Sequence, residues 1–236
     1  MNALTRSLTA YWSSSIGKKF VVALTGAFLV LFLAGHLAGN MLIFAGPEAF
    51  NAYAHQLHTM LDGAGVWIAR VVLLGAFLLH IFATISLTRQ NRAARKQYEH
   101  KGTIQATLSS RLMILSGLTI IAFVIYHILH FTARVGNEYN NPELYTYLLD
   151  GEEVHNAWKM VIDGFSWWPA TLFYILSMVL LASHLTHGVQ SIFQTLGWRS
   201  KRSSGLIDTF AKGYTVVIFF GFISIPIAIQ IFGFGR

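Results

Sequence analysis

The sequence predicts an all-α membrane protein with five transmembrane helices. Of its 236 residues, 54% are hydrophobic and only 11% are charged, and the mean hydropathy is +0.53. Soluble domains carry about 25% charged residues, so this chain has too few to coat a water-facing surface. Five apolar runs match the roughly 20 residues that a helix needs to cross a bilayer. The composition therefore excludes a soluble enzyme, a disordered chain and a nucleic-acid-binding domain.

The apolar runs divide one continuous membrane domain, residues 1–236, into five spans. Tyr11-Trp12 precedes the first run and is expected to lie along the headgroups. The first run is longer than the apolar part of a signal peptide and no small-residue cleavage site closes it, so we expect a retained span. Trp167-Trp168-Pro169 marks an interfacial start for the fourth span, and Pro226 predicts a kink in the fifth. The predicted spans are residues 20–44, 66–88, 112–133, 169–194 and 213–234.

Basic residues are distributed unequally between the two sides of this predicted bundle. One side, formed by the N-terminus and the loops 88–111 and 194–213, holds 13 Lys and Arg and two acids. The other side holds four Lys and Arg and eight acids. Short loops rich in Lys and Arg stay in the cytoplasm. The N-terminus is therefore expected in the cytoplasm and, with five spans, the C-terminus outside.

Histidines inside the spans are the strongest functional signal. Cysteine is absent, which excludes thiolate metal sites and covalently attached haem. An ionisable group within a bilayer is costly and marks function by default, although a neutral histidine can also join helices through a hydrogen bond. Six histidines on four successive spans favour function over packing alone. They are His36, His80, His127, His130, His184 and His187.

Depth sorts four of these histidines into two layers. At about 1.5 Å of rise per residue, His36 and His127 lie roughly 25 Å from the cytoplasmic side, and His80 only about 14 Å from it. His184 lies far from the outer boundary. Helical bundles bind cofactors between side chains of facing helices, and two axial imidazoles on one iron favour electron transfer. The spacing thus suits two bis-histidine haems, held by four of the five spans.

Several strings in the chain resemble one known family. They are Gly35–Asn40, Gly46–His55, Leu79-His80, Tyr126-His127 and His184–Gly188. In combination, and over nearly the whole chain, they resemble the cytochrome b membrane subunit of succinate dehydrogenase and fumarate reductase, in its five-helix, two-haem form. One position departs from some fumarate reductases of this type, which place a glutamate where this chain has Ala182. A proton pathway through that glutamate is therefore not expected here.

The resemblance implies a di-haem cytochrome b within respiratory complex II and the tricarboxylic acid cycle, in a bacterial cytoplasmic membrane. It implies His184 rather than His187 and His127 rather than His130 as iron ligands, whereas spacing alone leaves both choices open. His80 and His184 would hold the proximal haem, and His36 and His127 the distal haem. The implied partners are a flavoprotein with covalent FAD and an iron–sulfur subunit, facing the basic loop Arg89–Lys101. The dicarboxylate site belongs to the flavoprotein, so no catalytic residue is expected in this chain.

The implied reaction passes electrons from the iron–sulfur subunit through the proximal and then the distal haem to a quinone, with menaquinone favoured by analogy, or in reverse with fumarate. Residues that could hold a haem propionate or line a haem pocket are Lys18, Arg70, Arg111, His130, Ser177 and His187. Candidates for a quinone site near the distal haem are Asn40, His55, His58, Asp62 and Arg70. Ser15, Lys18, Lys19 and Arg111 are the corresponding candidates near the proximal haem.

Three other functions remain open from the sequence. The first is the cytochrome b subunit of another quinone-linked enzyme, such as a formate dehydrogenase, a hydrogenase or a nitrate reductase. The second is a histidine-lined metal transporter, which the absence of Asp and Glu inside the spans disfavours because such transporters usually need intramembrane carboxylates. The third is a structural anchor whose histidines only join helices.

Overall fold

Five long apolar helices dominate the computed structural model, which describes residues 2–93 and 111–236. Each is long and apolar enough to cross a membrane, which confirms the five predicted spans. Residues 94–110, which include most of the predicted basic loop, lie outside the described residues. The long helices are α2 (Ser15–Met41), α4 (Ala64–Ala93), α5 (Met113–His127), α7 (Trp168–Thr195) and α8 (Ser204–Gln230), and a π-helix extends the third of these spans to Thr132.

Several helices begin earlier than the hydropathy predicts, and at the start of α2 a polar side chain caps the first turn. A short helix, α1 (Ala3–Ser13), precedes α2, and the Ser14 hydroxyl between them accepts the N–H of Gly17. Ser and Thr at this position satisfy backbone groups that a helix start leaves unpaired. Helix α8 begins nine residues before the predicted span, beside a two-bond ion pair between Arg199 and Asp208 at 2.7 and 3.0 Å. The helix continues past Pro226 to Gln230.

The outer surfaces of the helices are apolar, and their shared interior is narrow. Large exposed Leu, Ile, Val and Phe side chains lie along the five helices, as expected where lipid rather than water surrounds the protein. Helices α7 and α8 form the most buried pair, with Met178, Leu181, Leu185 and Ile218 packed against Leu37 of α2.

A folded cap lies at one end of the bundle, where the sequence predicts only loops. It contains helix α3 (Pro47–Thr59), a two-stranded antiparallel sheet of β1 (Thr146–Leu149) and β2 (Glu152–His155), and helix α6 (Ala157–Ser166). This hairpin corrects the all-α prediction, although the chain remains mostly helical. The cap packs onto the bundle through an apolar core that includes Ile43, Phe50, Tyr139, Tyr145, Met160, Ile162, Phe165 and Tyr174.

Asn51 joins the two helices of the cap. Its side chain is fully buried. The amide oxygen accepts the backbone N–H of Trp158 at 2.9 Å, and the amide nitrogen donates to Asn156 at 3.2 Å. The Asn156 side chain also caps α6 by accepting the N–H of Lys159. A buried amide that satisfies both of its ends in this way fixes α3 against α6.

Candidate functional site

The intramembrane histidines form two pairs, and each pair joins two different helices. His36 of α2 and His127 of α5 lie near the cap and are called the cap-end pair. His80 of α4 and His184 of α7 lie farther from the cap and are called the far pair. The rings of His36 and His127 contact each other, and each ring of the far pair contacts a hydroxyl of a neighbouring helix. The structure therefore brings His36 and His127 together, and the pairing of His80 with His184 stays a prediction.

The cap-end pair lies among aromatic side chains. The ring centroids of His36 and His127 are 5.9 Å apart, and the ring planes are inclined at 86°. Phe32 stacks on His36 at 5.2 Å, and Phe123 stacks on His127 at 5.8 Å. Phe222 of α8 lies 5.8 Å from His36. These rings shield the two imidazoles from water and leave them in an apolar setting.

Tyr174 of α7 connects His127 to His130. Its hydroxyl lies 3.2 Å from Nδ1 of His127 and 3.3 Å from Nδ1 of His130. His130 belongs to a five-residue π-helix, Ile128–Thr132, that extends α5 into the cap. Single turns of π-helix occur often at functional sites. His130 is buried and stacks on Phe131 at 4.0 Å, so the structure places it beside a proposed ligand without pairing it with a second helix's histidine.

The far pair is held by hydroxyl groups, beginning with Thr25. The Thr25 hydroxyl oxygen lies 3.0 Å from Nδ1 of His80 and 2.6 Å from the carbonyl oxygen of Val21. A hydroxyl can donate to the carbonyl and accept from the His80 ring at the same time, so both contacts can form when Nδ1 of His80 carries the ring proton. In that tautomer, Nε2 of His80 keeps a free lone pair.

Ser116 of α5 holds His184 in the same way. Its hydroxyl oxygen lies 3.1 Å from Nδ1 of His184 and 3.2 Å from the carbonyl oxygen of Met113. Ser116 is fully buried, so water does not compete for this contact. Both rings of the far pair thus have one nitrogen engaged by a hydroxyl and the other available as a ligand.

Glycines on neighbouring helices leave space beside the far pair. A Cβ on Gly26 would lie 3.3 Å from Cε1 of His80, and a Cβ on Gly117 would lie 3.9 Å from Cε1 of His184. Small residues allow membrane helices to approach closely. At these two positions they also keep bulky side chains away from the imidazoles.

The remaining haem-pocket candidates have other contacts. Lys18 is buried, and its ammonium donates to the Gln90 side chain at 3.2 Å. The Ser177 hydroxyl donates to the carbonyl of Phe173, and the Arg70 guanidinium lies 4.9 Å from the centre of the Trp67 ring. Arg111 is exposed and His187 is half-buried. Their roles toward a cofactor stay predictions.

Four quinone-site candidates, namely Asn40, His55, His58 and Asp62, are not gathered in one pocket. Of these four, only Asn40 contacts a paired histidine in the described part of the chain: its amide donates to the His36 carbonyl at 2.7 Å. His55 lies 3.8 Å from Glu152, and the ring of His58 contacts the carbonyl of Ala54. Asp62 is exposed in a turn with φ of 52°. His55 and His58 therefore lie on cap helix α3 and Asp62 in the turn that follows it, and the three side chains have different surroundings.

Tyr53 is a residue near the cap-end pair that the sequence analysis misses. Its ring packs against Gly39, so closely that a Cβ there would meet the Tyr53 ring at 2.6 Å. Gly39 lies one turn beyond His36, and the Tyr53 hydroxyl makes no hydrogen bond to another described residue. In the sequence, Gly39 of the Gly35–Asn40 string is the signal for such a close approach. A cavity of about 280 Å³ also lies in the cap, but no paired histidine lines it.

The separation of His36 and His127 matches that of two imidazoles on opposite sides of one metal. A first-row metal binds imidazole nitrogen at about 2 Å, so two imidazoles on opposite sides of one metal have centroids about 6 Å apart. The cap-end pair has a separation of 5.9 Å. Among residues 2–93 and 111–236, the structure has no group of three or more His, Asp or Glu arranged around a bare metal ion.

Comparison of the chain with protein-family models, curated proteins and solved structures found no match. What bears on function is therefore the geometry of the two histidine pairs, together with the sequence strings that surround them.

Proposed function

We propose that this chain is the di-haem cytochrome b subunit of a succinate:quinone oxidoreductase and anchors that complex in a bacterial cytoplasmic membrane. The observation that carries the proposal is the arrangement of four histidines as two pairs at two depths of a five-helix apolar bundle. Each pair takes its members from different helices, and packing alone does not require two such pairs.

His36 and His127 would hold one haem b, and His80 and His184 the other. Haem iron with two axial imidazoles, when bound, supplies a one-electron carrier without an open position for oxygen. The chain's own residues keep the four imidazoles in place and exclude water. The aromatic rings around His36 and His127 serve the cap-end site, whereas the hydroxyls of Thr25 and Ser116 serve the far site.

The two sites are stacked across the membrane. Thr25 contacts His80, and His36 follows Thr25 by eleven residues on α2. Eleven residues of helix rise about 16 Å, over roughly three turns. The cap-end and far sites are therefore separated mainly along the membrane normal. This arrangement supports electron transfer from one membrane face toward the other.

The orientation follows from the charge of the loops. The side of the bundle that carries the cap has four Lys and Arg against 13 on the opposite side, which supports an outside location for the cap. The far pair would then lie nearer the cytoplasm, where the haem that it holds would accept electrons from the iron–sulfur subunit, whose flavoprotein partner oxidises succinate. The haem held by the cap-end pair would pass them to menaquinone, and Asn40 and the Tyr53 hydroxyl are hydrogen-bond donors beside that pair. The same residues serve fumarate reduction in the reverse direction.

Haem analysis of the purified chain and its variants tests this proposal. We expect two b-type haems per chain in the reduced-minus-oxidised spectrum. His36→Ala and His127→Ala should each abolish the same spectral component, and His80→Ala and His184→Ala should abolish the other. Thr119→Val is the control, because Thr119 lies on α5 and its hydroxyl contacts the Leu115 carbonyl, and it should keep both haems.

Absence of haem from the wild-type protein would contradict the proposal, and so would loss of unrelated components by the two members of a pair. The proteins that co-purify separate the succinate enzyme from other quinone-linked dehydrogenases. A flavoprotein with covalent FAD together with an iron–sulfur subunit supports the assignment. A molybdenum or nickel subunit in their place contradicts it.

A further inference from the structure

We propose that Thr25 and Ser116 are positioning residues that fix the orientation and the tautomer of both far-pair histidines and thereby lower the reduction potential of that site. This inference rests on the proposed function, because it concerns two imidazoles that share one iron. Neither residue touches a reacting atom. They act through hydrogen bonds from the two imidazole Nδ1 atoms to hydroxyl oxygens of neighbouring helices.

The two hydroxyls occupy equivalent places in the bundle. Thr25 precedes His36 by eleven residues on α2, and Ser116 precedes His127 by the same eleven residues on α5. Eleven residues amount to roughly three helical turns, so hydroxyl and histidine lie on nearly the same face. Each of these two helices thus presents a histidine to the cap-end pair and a hydroxyl to the far pair.

The direction of each hydrogen bond follows from the proposed iron ligation. A ring that binds iron through Nε2 carries its proton on Nδ1. The Thr25 and Ser116 hydroxyls would then accept that proton, and each can still donate its own to the backbone carbonyl of Val21 or Met113.

The acceptor also changes the electronic properties of the imidazole. A histidine that donates its second N–H to an acceptor becomes a more basic ligand. A more basic ligand favours oxidised iron, so the reduction potential falls. Removal of a hydroxyl should therefore raise the potential of the far site and leave that of the cap-end site unchanged.

A redox titration of the haem spectrum, with the chain in its native complex, tests the inference. Thr25→Val and Ser116→Ala should both move the same component to a more positive potential, namely the component that His80→Ala abolishes. They should also change its low-spin electron paramagnetic resonance signal. Thr25→Ser should restore wild-type behaviour. Thr119→Val is the matched control, because its hydroxyl lies on α5 and contacts only the Leu115 carbonyl.

Selective loss of the far-site haem in both variants, with the cap-end haem retained, would support the same role. Unchanged potentials with both haems present would overturn it, as would shifts of different components by the two variants or an equal shift in Thr119→Val. Thr25→Ala provides a second variant if valine prevents assembly. A wild-type chain without haem would refute the proposed function itself, so the two failures are distinguishable.

Discussion

The hydroxyl of Thr25 on α2 lies 3.0 Å from Nδ1 of His80 on α4. This contact ties the helix that carries a cap-end histidine to the helix that carries a far-pair histidine. Ser116 on α5 makes the equivalent contact with His184 on α7 at 3.1 Å. Equivalent hydrogen bonds thus link α2 to α4 and α5 to α7. Each link joins a helix that carries a cap-end histidine to a helix that carries a far-pair histidine.

Gly39 and Gly35 offer a matched test of how the cap meets the bundle. A Cβ at Gly39 would lie about 2.6 Å or less from Tyr53 ring atoms, whereas a Cβ at Gly35 would meet nothing within 4 Å. Overpacking of this kind costs about 1–3 kcal/mol. We expect Gly39→Ala to lower the melting temperature of the detergent-solubilised protein and to weaken haem retention at the cap-end site.

Gly35→Ala should leave both properties unchanged, since its space is open. The double variant Gly39→Ala, Tyr53→Leu should regain part of the lost stability, because the shorter side chain vacates the contested space. Equal destabilisation by both alanines would show that helix flexibility matters and that the Tyr53 contact does not.

The sequence predicts those parts of the fold that depend on local spacing. Hydropathy locates the five spans, and the rise of a helix predicts the proximity of His36 and His127 that the structure shows. The contacts of Thr25, Ser116 and Tyr174 depend on how neighbouring helices are rotated, which no single helix specifies. The repeated eleven-residue spacing from Thr25 to His36 and from Ser116 to His127 is the one local signal of that arrangement.

The cap shows where sequence reasoning lacks information. Its helices α3 and α6 are held by long-range contacts such as Asn51 with Trp158, between residues more than 100 positions apart. Hydropathy treats both segments as loops because they are short and mixed in polarity. His55 and His58 are sequence candidates because they can donate hydrogen bonds to a quinone near the distal haem, and the structure places both on helix α3 of the cap.

Asn51 should be the polar residue whose substitution destabilises the cap most. Asn51→Leu would remove both of its hydrogen bonds and leave the Trp158 N–H buried without an acceptor. Such an orphaned group costs about 1–3 kcal/mol. Hydrogen exchange should therefore increase in residues 152–166, whereas the exposed Asn140→Ala serves as the control and should leave exchange there unchanged. Unaltered exchange in Asn51→Leu would show that the apolar core alone holds the cap.

His155 should make the stability of the cap depend on pH. Burial, together with the charges of Arg134 and His58, lowers the pKa of His155 from 6.5 to about 4. The unfolded chain therefore binds a proton as the pH falls below 6.5, while the folded cap does so only near 4. Stability is unaffected by this group above pH 6.5 and decreases as the pH falls from 6.5 toward 4.

Thermal melting at pH 7.5 and at pH 5 measures this effect. His155→Gln, which cannot titrate, should reduce the difference in melting temperature between the two pH values. Gln56→Ala is the comparison, because Gln56 is exposed on the same cap helix and does not titrate. An undiminished pH difference in His155→Gln would assign the effect to another group.

Tyr174→Phe should affect the cap-end site alone. The substitution removes the hydroxyl that lies 3.2 Å from His127 and 3.3 Å from His130 but keeps the aromatic ring. His127 would then lose the acceptor of its Nδ1–H and become a less basic ligand. We expect the cap-end haem component to shift to a more positive potential, with the far-site component unchanged.

Tyr126→Phe is the control, because Tyr126 lies in the same aromatic group and its hydroxyl makes no hydrogen bond within the described residues. A shift of the far-site component in Tyr174→Phe would contradict the assignment of His127 to the cap-end site. Together with the Ser116→Ala result, this variant distinguishes local hydrogen bonding at each site from a general loosening of the bundle, which would move both components at once.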